Sequence, residues 1–155
     1  MIIRALVPGE EAQVRALLAD SALPVEDLDQ SMVRFVVAVD EVGAQGAIGL
    51  EAFGSVGLLR SLVVRPQARG GGIASQLVDA LEADARRLGI RQLVLLTQTA
   101  APFFARRGYV QLARDATPVP VQGSAEFRSL CPASATCMTK HLEPESIHAS
   151  GTTQA

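Results

Sequence analysis

Three consecutive glycines, Gly70-Gly71-Gly72, most constrain this chain, because they separate two segments of different periodicity. The mostly apolar segment before them, 58–65, is predicted to be a buried strand. The segment after them, 73–88, is predicted to be an amphipathic helix with Glu82 on its polar side. Its apolar stripe comprises Ile73, Ala74, Leu77, Val78, Leu81, Ala85 and Leu88. In such a unit the free N–H groups of the first helical turn point to one place and favour an anion there.

Arg69, immediately before the glycines, adds a positive charge, so a phosphate or pyrophosphate is the natural occupant of this turn. A P-loop would require Gly-Lys followed by Ser or Thr, but Ile73 follows Gly72. A dinucleotide fingerprint would require a third glycine at the position of Ser75. The alternative without function is a plain glycine-rich turn. The local pattern therefore predicts an anion site and leaves the ligand open.

The other segments predict one α+β domain over residues 1–142, followed by a polar tail at 143–155 that we expect to be frayed. Strands are predicted at 2–6, 35–39, 47–53, 58–65, 92–97, 108–112 and 134–142. Helices are predicted at 8–20, 21–30, 73–88 and 100–107, the second with Val25, Leu28 and Met32 turned inward. The long connection 115–132 is of the kind that often carries function.

Charge and cysteine content exclude several classes of protein. The net charge is −2 and the basic residues are scattered, which argues against a nucleic-acid partner. No apolar run is long enough to cross a membrane, and the N-terminal residues lack the pattern of a secretory leader, so we expect a cytoplasmic protein. Cys131 and Cys137 make no disulfide framework, and no Cys/His set has zinc spacing, so no metal is expected. A monomer or a homodimer is expected.

Two stretches resemble the GNAT superfamily of N-acetyltransferases. The first runs from Leu62 to Ala74 and meets the family pattern Q/R-x-x-G-x-G/A with Gln67, Gly70 and Gly72. The second, from Phe103 to Tyr109, is similar to the aromatic helix of the family that ends in glycine and an aromatic residue. Because one helix and one strand separate the two stretches, the pair is far more specific than either alone. The resemblance covers residues 1–142.

The resemblance implies acetyl-CoA as cosubstrate and a mixed, mostly antiparallel sheet of about seven strands, with about four helices, splayed open between strands 4 and 5. The pantetheine arm would pair with the backbone of strand 4, and the pyrophosphate would lie on the N–H groups of Arg69 to Ala74. The backbone N–H of Leu62 would hold the oxyanion of the thioester carbonyl. The implied binding residues are Leu62, Val63, Val64, Gln67, Arg69, Gly70, Gly71, Gly72, Ile73, Ala74 and Phe104.

Proton transfer is less well defined, because Phe104 stands where much of the family has a tyrosine acid, and Thr97 replaces a common asparagine. Thr97 could still hydrogen-bond the ligand or the backbone. Glu51 is a candidate base or partner for a substrate ammonium, or else a solvated strand carboxylate. Arg60 could clamp a substrate carboxylate or oxyanion, or else form a structural ion pair with Glu51.

The segment 126–134 resembles the Phe-x-x-Leu-Cys-Pro-x-Ser segment of the arsenic-resistance branch of the acetyltransferases and, more distantly, glutamate N-acetyltransferases. This resemblance implies a small amino-acid-like acceptor, or its arsenic- or phosphorus-containing analogue, with Arg128 and Ser129 lining the acceptor pocket. Arsenic binding by Cys131 and Cys137 is disfavoured, because cysteine is commonly a small buried hydrophobe. A non-catalytic CoA-binding sensor on the same scaffold is the alternative function, and a phosphate binder unrelated to CoA is a third.

Overall fold

A computed structural model describes residues 1–29, 31–130 and 134–143, and in this part of the chain a seven-stranded sheet runs through the molecule. The spatial order of the strands is β1-β2-β3-β4-β5-β7-β6. All neighbours are antiparallel except β4 and β5, which are parallel. The strands are β1 (Ile2–Ala5), β2 (Val33–Val39), β3 (Ala44–Phe53), β4 (Val56–Val64), β5 (Gln92–Thr97), β6 (Val110–Gln111) and β7 (Thr136–His141). The predicted mixed, mostly antiparallel seven-stranded α+β fold is confirmed.

In the described ranges four α-helices accompany the sheet, and no helix there is long and apolar enough to cross a membrane. They are α1 (Glu11–Asp20), α2 (Ile73–Arg87), α3 (Ala101–Arg106) and α4 (Val119–Gln122). The main core lies between α2 and the sheet, where Leu77, Leu81 and Ile48 are almost fully buried. The predicted long connection contains α4 and a short π-helical segment, Glu126–Leu130.

The sheet opens between β4 and β5. Their parallel pairing runs only from Val56 opposite Gln92 to Leu58 opposite Val94. Beyond Leu58 the β5-facing edge of β4 has no strand partner, whereas the opposite edge of β5 stays paired with β7 along its whole length. The splayed gap predicted between the fourth and fifth strands is therefore present, and it exposes backbone groups of β4 that a bound molecule can use.

A β-bulge lies on β4 next to this gap. Gly49 pairs with Arg60 and Ala47 pairs with Val63, so Ser61 and Leu62 together face the single residue Ile48. Ser61 has a φ of 62°, which is unusual for a residue with a side chain. A bulge bends its strand and re-aims the following residues, and here it does so where β4 leaves β5.

The predicted helix at 21–30 is wrong for the residues described, 21–29, which form turns. Met32, predicted to turn inward, is 87% exposed, whereas Val25 and Leu28 are partly buried against the core around α1. Pro24 lacks an N–H, and the Asp27 carboxylate is drawn inward to Arg60. A tertiary ion pair thus overrides the local helical pattern.

Five of the seven residues predicted for the apolar stripe of α2 are buried, and the prediction fails at Glu82 and Leu88. Glu82 is only 5% exposed, and Leu88 is 46% exposed and lies beyond the last residue of the helix. Glu82 is held inside by the Tyr109 hydroxyl, at 2.8 Å, and by the Lys140 ammonium, at 3.0 Å. Hydrophobic periodicity cannot anticipate a buried carboxylate whose partners lie on distant segments. The predicted tail beyond residue 143 lies outside the described residues.

Candidate active site

A cavity of about 540 Å³ lies in the gap between β4 and the start of α2, and we call it the donor cavity. Most of the residues implied to bind the cosubstrate line it: Leu62, Val63, Val64, Arg69, Gly70, Gly72, Ile73 and Ala74. Gln67 and Gly71 are exposed and are not among its lining residues. The aromatic ring at this cavity is that of Phe103, and Phe104 lines the second cavity described below.

The glycine turn leaves open space beside the first turn of α2. Gly70 and Gly72 have φ values of 90° and 82°, in the left-handed region that favours glycine. A Cβ atom built on Gly70, Gly71 or Gly72 would meet no atom within 4 Å. The α2 ladder starts with the N–H of Gln76, which donates to the Gly72 carbonyl at 3.1 Å. The preceding helical N–H groups have no acceptor within the helix, so they are available to an anion.

Arg69 closes the outer side of this turn. Its Nε–H donates to the Val64 carbonyl at 3.0 Å, which anchors the side chain to the end of β4. The exposed Arg69 side chain is therefore anchored at the rim of the donor cavity. This placement gives the N-terminal end of α2 a full positive charge as well as its helix dipole.

A second cavity of about 390 Å³ lies on the β5 side of the gap, and we call it the acceptor cavity. It is lined by Arg60 and Ser61 of β4, by the end of β5 from Leu95 to Thr97, and by Glu126. Both cavities are lined by Ser21, Leu23, Leu62 and Thr99. Leu62, directly after the strained Ser61, therefore stands where the two cavities meet.

Thr97 and Phe104 both line the acceptor cavity. The Thr97 Oγ1 accepts a hydrogen bond from the Ala100 N–H at 2.9 Å, just before α3, so its hydroxyl hydrogen can donate elsewhere. Phe104 is 3% exposed and packs edge-to-face against Phe103 and Tyr109, with ring centroids 5.1 and 5.3 Å away. The apolar Phe104 ring thus offers no proton at this wall of the cavity.

Arg60 is the centre of a buried cluster of charges, with no exposed side-chain surface. Its Nη1 and Nη2 donate to the two carboxylate oxygens of Asp27 at 2.7 and 2.8 Å. Glu51 lies 3.2 Å from Nη1, and Glu126 lies 3.2 Å from Nε. The ion pair with Glu51 that the sequence left open is present. Arg60 Nε also donates to the Ser61 Oγ at 3.2 Å, so most of its donors are engaged before any substrate carboxylate arrives.

The cluster perturbs the pKa of each member differently. Burial raises the pKa of Glu126 to about 7, opposed by the Arg60 charge and assisted by the charges of Asp27 and Glu51. Burial also raises the pKa of Glu51, partly offset by Arg60. The hydrogen bonds from Arg60 lower the pKa of Asp27. For Arg60, burial acts to lower the pKa, but the hydrogen bonds to Asp27 and the charge of Glu126 outweigh it.

The remaining sequence-predicted residues are placed as follows. Glu51 is 8% exposed and reaches the acceptor cavity only through Arg60, since it is not among the lining residues. Arg128 is exposed, and nothing is described of the Ser129 side chain. Cys137 is buried beside Leu58, Val94 and Val121. Cys131 lies outside the described residues. In the described ranges no cluster of His, Cys, Asp and Glu side chains could hold a metal ion.

Sequence reasoning missed two members of the site, Asp27 and Glu126. Asp27 lies within the segment predicted as a helix at 21–30, and Glu126 within the segment 126–134, but neither is among the predicted site residues. The signal that could have found them is Arg60 itself. A lone arginine in an apolar strand requires buried anionic partners, and one Glu51 carboxylate cannot satisfy all five guanidinium N–H groups.

The acetyltransferase (GNAT) domain model matches residues 31–111, more than half of the chain. The IAA acetyltransferase of Azospirillum brasilense is 35% identical over 77 residues, covering 48% of this chain and 50% of that protein. The amino-acid acetyltransferase of Pseudomonas syringae pv. syringae is 34% identical over 95 residues, covering 60% of this chain and 22% of that protein. This chain therefore spans half, or less, of the length of these relatives.

Among solved structures, N-acetylglutamate synthase from Neisseria gonorrhoeae, in complex with coenzyme A and N-acetyl-glutamate, superposes with a TM-score of 0.78. It is 22% identical and covers 92% of this chain and 35% of that chain, so the likeness supports the fold alone. The family match, the glycine turn and the splayed β4–β5 pair agree with one another. The chain belongs to the GNAT acetyltransferase domain family.

Proposed function

We propose that this protein is an acetyl-CoA-dependent N-acetyltransferase in which a small amine attacks the thioester directly, with donor and acceptor bound together. The observation that carries the proposal is that the donor and acceptor cavities meet at Leu62, on the unpaired edge of β4. A thioester bound at that junction would be open to attack from the other side. Holding both reactants in one gap removes much of the entropic barrier to their reaction.

The donor cavity suits coenzyme A in shape and charge. The glycines provide open space for a pyrophosphate beside the free N–H groups of α2 and the guanidinium of Arg69. The unpaired edge of β4 from Leu62 to Val64 offers backbone groups to the amides of a pantetheine arm, as an added strand would. The Val64 carbonyl already accepts from Arg69, so the arm would use the other groups of this edge.

The backbone N–H of Leu62 is the proposed oxyanion donor. As the amine attacks, negative charge moves to the thioester oxygen, and a fixed N–H stabilises this charge more than it stabilises the ground state. The bulge at Ser61 fixes the direction of the Leu62 amide before the substrate binds. The Thr97 hydroxyl, held by Ala100, is the proposed polar contact on the β5 side.

The acceptor is proposed to be a small amino-acid-like amine. Support comes from the relatives, which include a protein named amino-acid acetyltransferase, and from the limited size of the acceptor cavity, about 390 Å³. Because Arg60 already holds three carboxylates, Arg128 is the remaining candidate for an acceptor carboxylate, with Ser129 next to it in the chain. The Arg128 side chain is exposed and is not among the residues that line the acceptor cavity, so it would contact the substrate from outside. The proposal that the acceptor is an arsenic- or phosphorus-containing analogue rests only on the resemblance of the 126–134 segment, part of which lies outside the described residues.

A thiol-release assay tests the proposal. Purified protein and acetyl-CoA are offered a panel of amino acids, their decarboxylated amines and the arsenic- and phosphorus-containing analogues, with N-acetyl product identified by mass spectrometry. We expect turnover with at least one α-amino acid and weaker turnover with its decarboxylated amine. The proposal would be overturned if CoA did not raise the thermal unfolding temperature of the protein.

A non-catalytic CoA-binding sensor is the second candidate function, and the observation that favours it is Phe104. This apolar ring occupies the wall of the acceptor cavity where a proton donor to the leaving thiolate is expected in the family. A sensor would bind acetyl-CoA and CoA tightly and give no N-acetyl product with any member of the panel. The same assay therefore separates the two functions.

A further inference from the structure

We propose that Glu126 is the residue that removes the proton from the acceptor amine. This assignment rests on the proposed acetyltransferase function and names a group that the sequence patterns did not single out. Glu126 lines the acceptor cavity, whereas Glu51 and Asp27 are not among its lining residues. It is therefore the one carboxylate of the Arg60 cluster with direct access to a bound amine.

The Glu126 carboxylate is placed by its ion pair with Arg60, and the backbone segment that carries it is held by hydrogen bonds to Ser124. Its Oε2 lies 3.2 Å from Arg60 Nε, and Arg60 itself is locked to Asp27 by two short hydrogen bonds. On its own segment, Ser124 accepts from the Arg128 N–H through its carbonyl, at 2.9 Å, and from the Phe127 N–H through its hydroxyl, at 3.3 Å. With a side chain only 4% exposed, Glu126 is held in place before substrate arrives.

Arg60 shares its positive charge among three carboxylates, and Glu126 therefore remains able to accept a proton near neutral pH. One guanidinium faces three carboxylates, and the best geometry, the bidentate pair, is given to Asp27. Glu126 receives one longer contact and also faces the negative charges of Asp27 and Glu51. A carboxylate with an arginine of its own would be held far into the ionised range and would be a poor base. Here burial and the two other carboxylates raise the pKa of Glu126 to about 7, near neutral pH.

With Glu126 as the base, every proton in the reaction is accounted for without an acid at the position of Phe104. The ammonium of the acceptor loses one proton to the Glu126 carboxylate, and the neutral nitrogen forms a bond to the thioester carbon. When the C–S bond breaks, the electron pair goes to sulfur, and a second proton from nitrogen protonates the thiolate. The products are the N-acetyl amine and CoA-SH, and Glu126 returns its proton to water. The excess negative charge of the cluster also favours the cationic form of the acceptor on arrival.

The pH profile of kcat/KM tests the assignment, with Glu126→Gln as the variant and an acceptor whose ammonium has a pKa well above 8. The kcat/KM of the wild type is expected to rise with pH, with a midpoint near pH 7, and then to level off. In Glu126→Gln this rise near pH 7 is expected to disappear, and kcat/KM at pH 8 should be about 100-fold lower than in the wild type. The residual kcat/KM of the variant should keep increasing as the pH approaches the pKa of the amine. CoA affinity, measured by calorimetry, should stay within about twofold, because Glu126 does not line the donor cavity.

Glu51→Gln is the matched comparison, since it removes a carboxylate from the same cluster without touching the acceptor cavity. Removing its negative charge should move the rise to lower pH and leave the plateau within about threefold. If Glu51→Gln abolishes the rise and Glu126→Gln retains it, Glu51 is the base and the proposal is overturned. The proposal is also overturned if the pH profile of kcat/KM in Glu126→Gln is the same as in the wild type. Absence of wild-type turnover with every amine would instead overturn the acetyltransferase function.

Discussion

Arg60 and Asp27 form a bidentate ion pair in the interior, with N–O distances of 2.7 and 2.8 Å, across 33 residues of sequence. The pair ties the turns after α1 to the bulged part of β4. Ser21 and Leu23, which begin those turns, line both cavities. A single buried contact therefore sets the position of one wall of the site, and the ion pair contributes to both stability and geometry.

Arg60→Met is expected to destabilise the protein by about 3–5 kcal/mol at pH 8, because it leaves three carboxylates buried without a counter-charge. The loss should be smaller at pH 5, which lies below the Glu126 pKa of about 7 and leaves that carboxyl largely neutral; the raised pKa of Glu51 acts in the same direction. Urea unfolding at the two pH values measures the difference. Arg34→Met is the control, since its ion pair with Asp84 is exposed and should contribute less than about 1 kcal/mol.

If Arg60→Met lowers the free energy of unfolding no more than Arg34→Met does, the description of the buried cluster is contradicted. A loss that is the same at pH 5 and pH 8 would contradict it too, because the cost arises from ionised carboxylates. If the folded variant binds CoA normally and only its acceptor KM rises, Arg60 acts as the substrate clamp that the sequence suggested.

Glu126→Gln is expected to raise the thermal stability of the protein at pH 8 and to have little effect at pH 5. The folded-state pKa of about 7 exceeds the ordinary value, so the stability linked to this group is present at low pH. It is lost as the pH rises through 7, when the buried carboxylate must ionise. A gain on the order of 3–4 kcal/mol at pH 8 corresponds to this rise from 4.5 to about 7, at about 1.4 kcal/mol per pKa unit. Calorimetric Tm values across pH 5–8 measure it, and destabilisation at pH 8 would contradict it.

Much of the fold was predictable from sequence, because local signals and tertiary contacts agree over most of the chain. The glycine turn, the strand before it and the helix after it specified the β4–α2 unit and hence most of the donor cavity. The failure at 21–29 arose where a distant arginine competes with the local pattern. No periodicity within that segment shows that Asp27 will be drawn toward a strand 33 residues away.

The acceptor cavity was less predictable for the same physical reason. Arg60, Thr97 and Glu126 come from β4, β5 and the π-helical segment, and only the folded chain brings them together. Sequence reasoning found Arg60 because an arginine in an apolar strand is conspicuous. It overlooked Glu126 because a glutamate in a long polar connection resembles any solvated residue, although its side chain is 4% exposed.

Tyr109→Phe is expected to cost about 1.5–3 kcal/mol in stability and to leave kcat within about twofold. The Tyr109 hydroxyl donates to the buried Glu82 at 2.8 Å, and hydrogen bonds to charged groups are worth about this amount. The residue lines neither cavity, so loss of its hydroxyl should not slow the reaction. Lys140→Met should cost more, because it leaves the Glu82 carboxylate without its nearest cation. A fall of tenfold or more in kcat for Tyr109→Phe would instead make Tyr109 the missing acid.

Gly70→Asp is expected to raise the KM for acetyl-CoA at least tenfold and to leave the acceptor KM nearly unchanged. A carboxylate at this turn would repel a pyrophosphate bound at the start of α2, and the φ of 90° adds strain for any side chain. Gly70→Ala carries the same strain without the charge, and its Cβ would meet no atom within 4 Å. The difference between the two variants therefore isolates the electrostatic part, which should shrink as salt is added. Equal effects of Gly70→Ala and Gly70→Asp on the CoA dissociation constant would show that backbone conformation at this turn, and not anion binding, determines affinity.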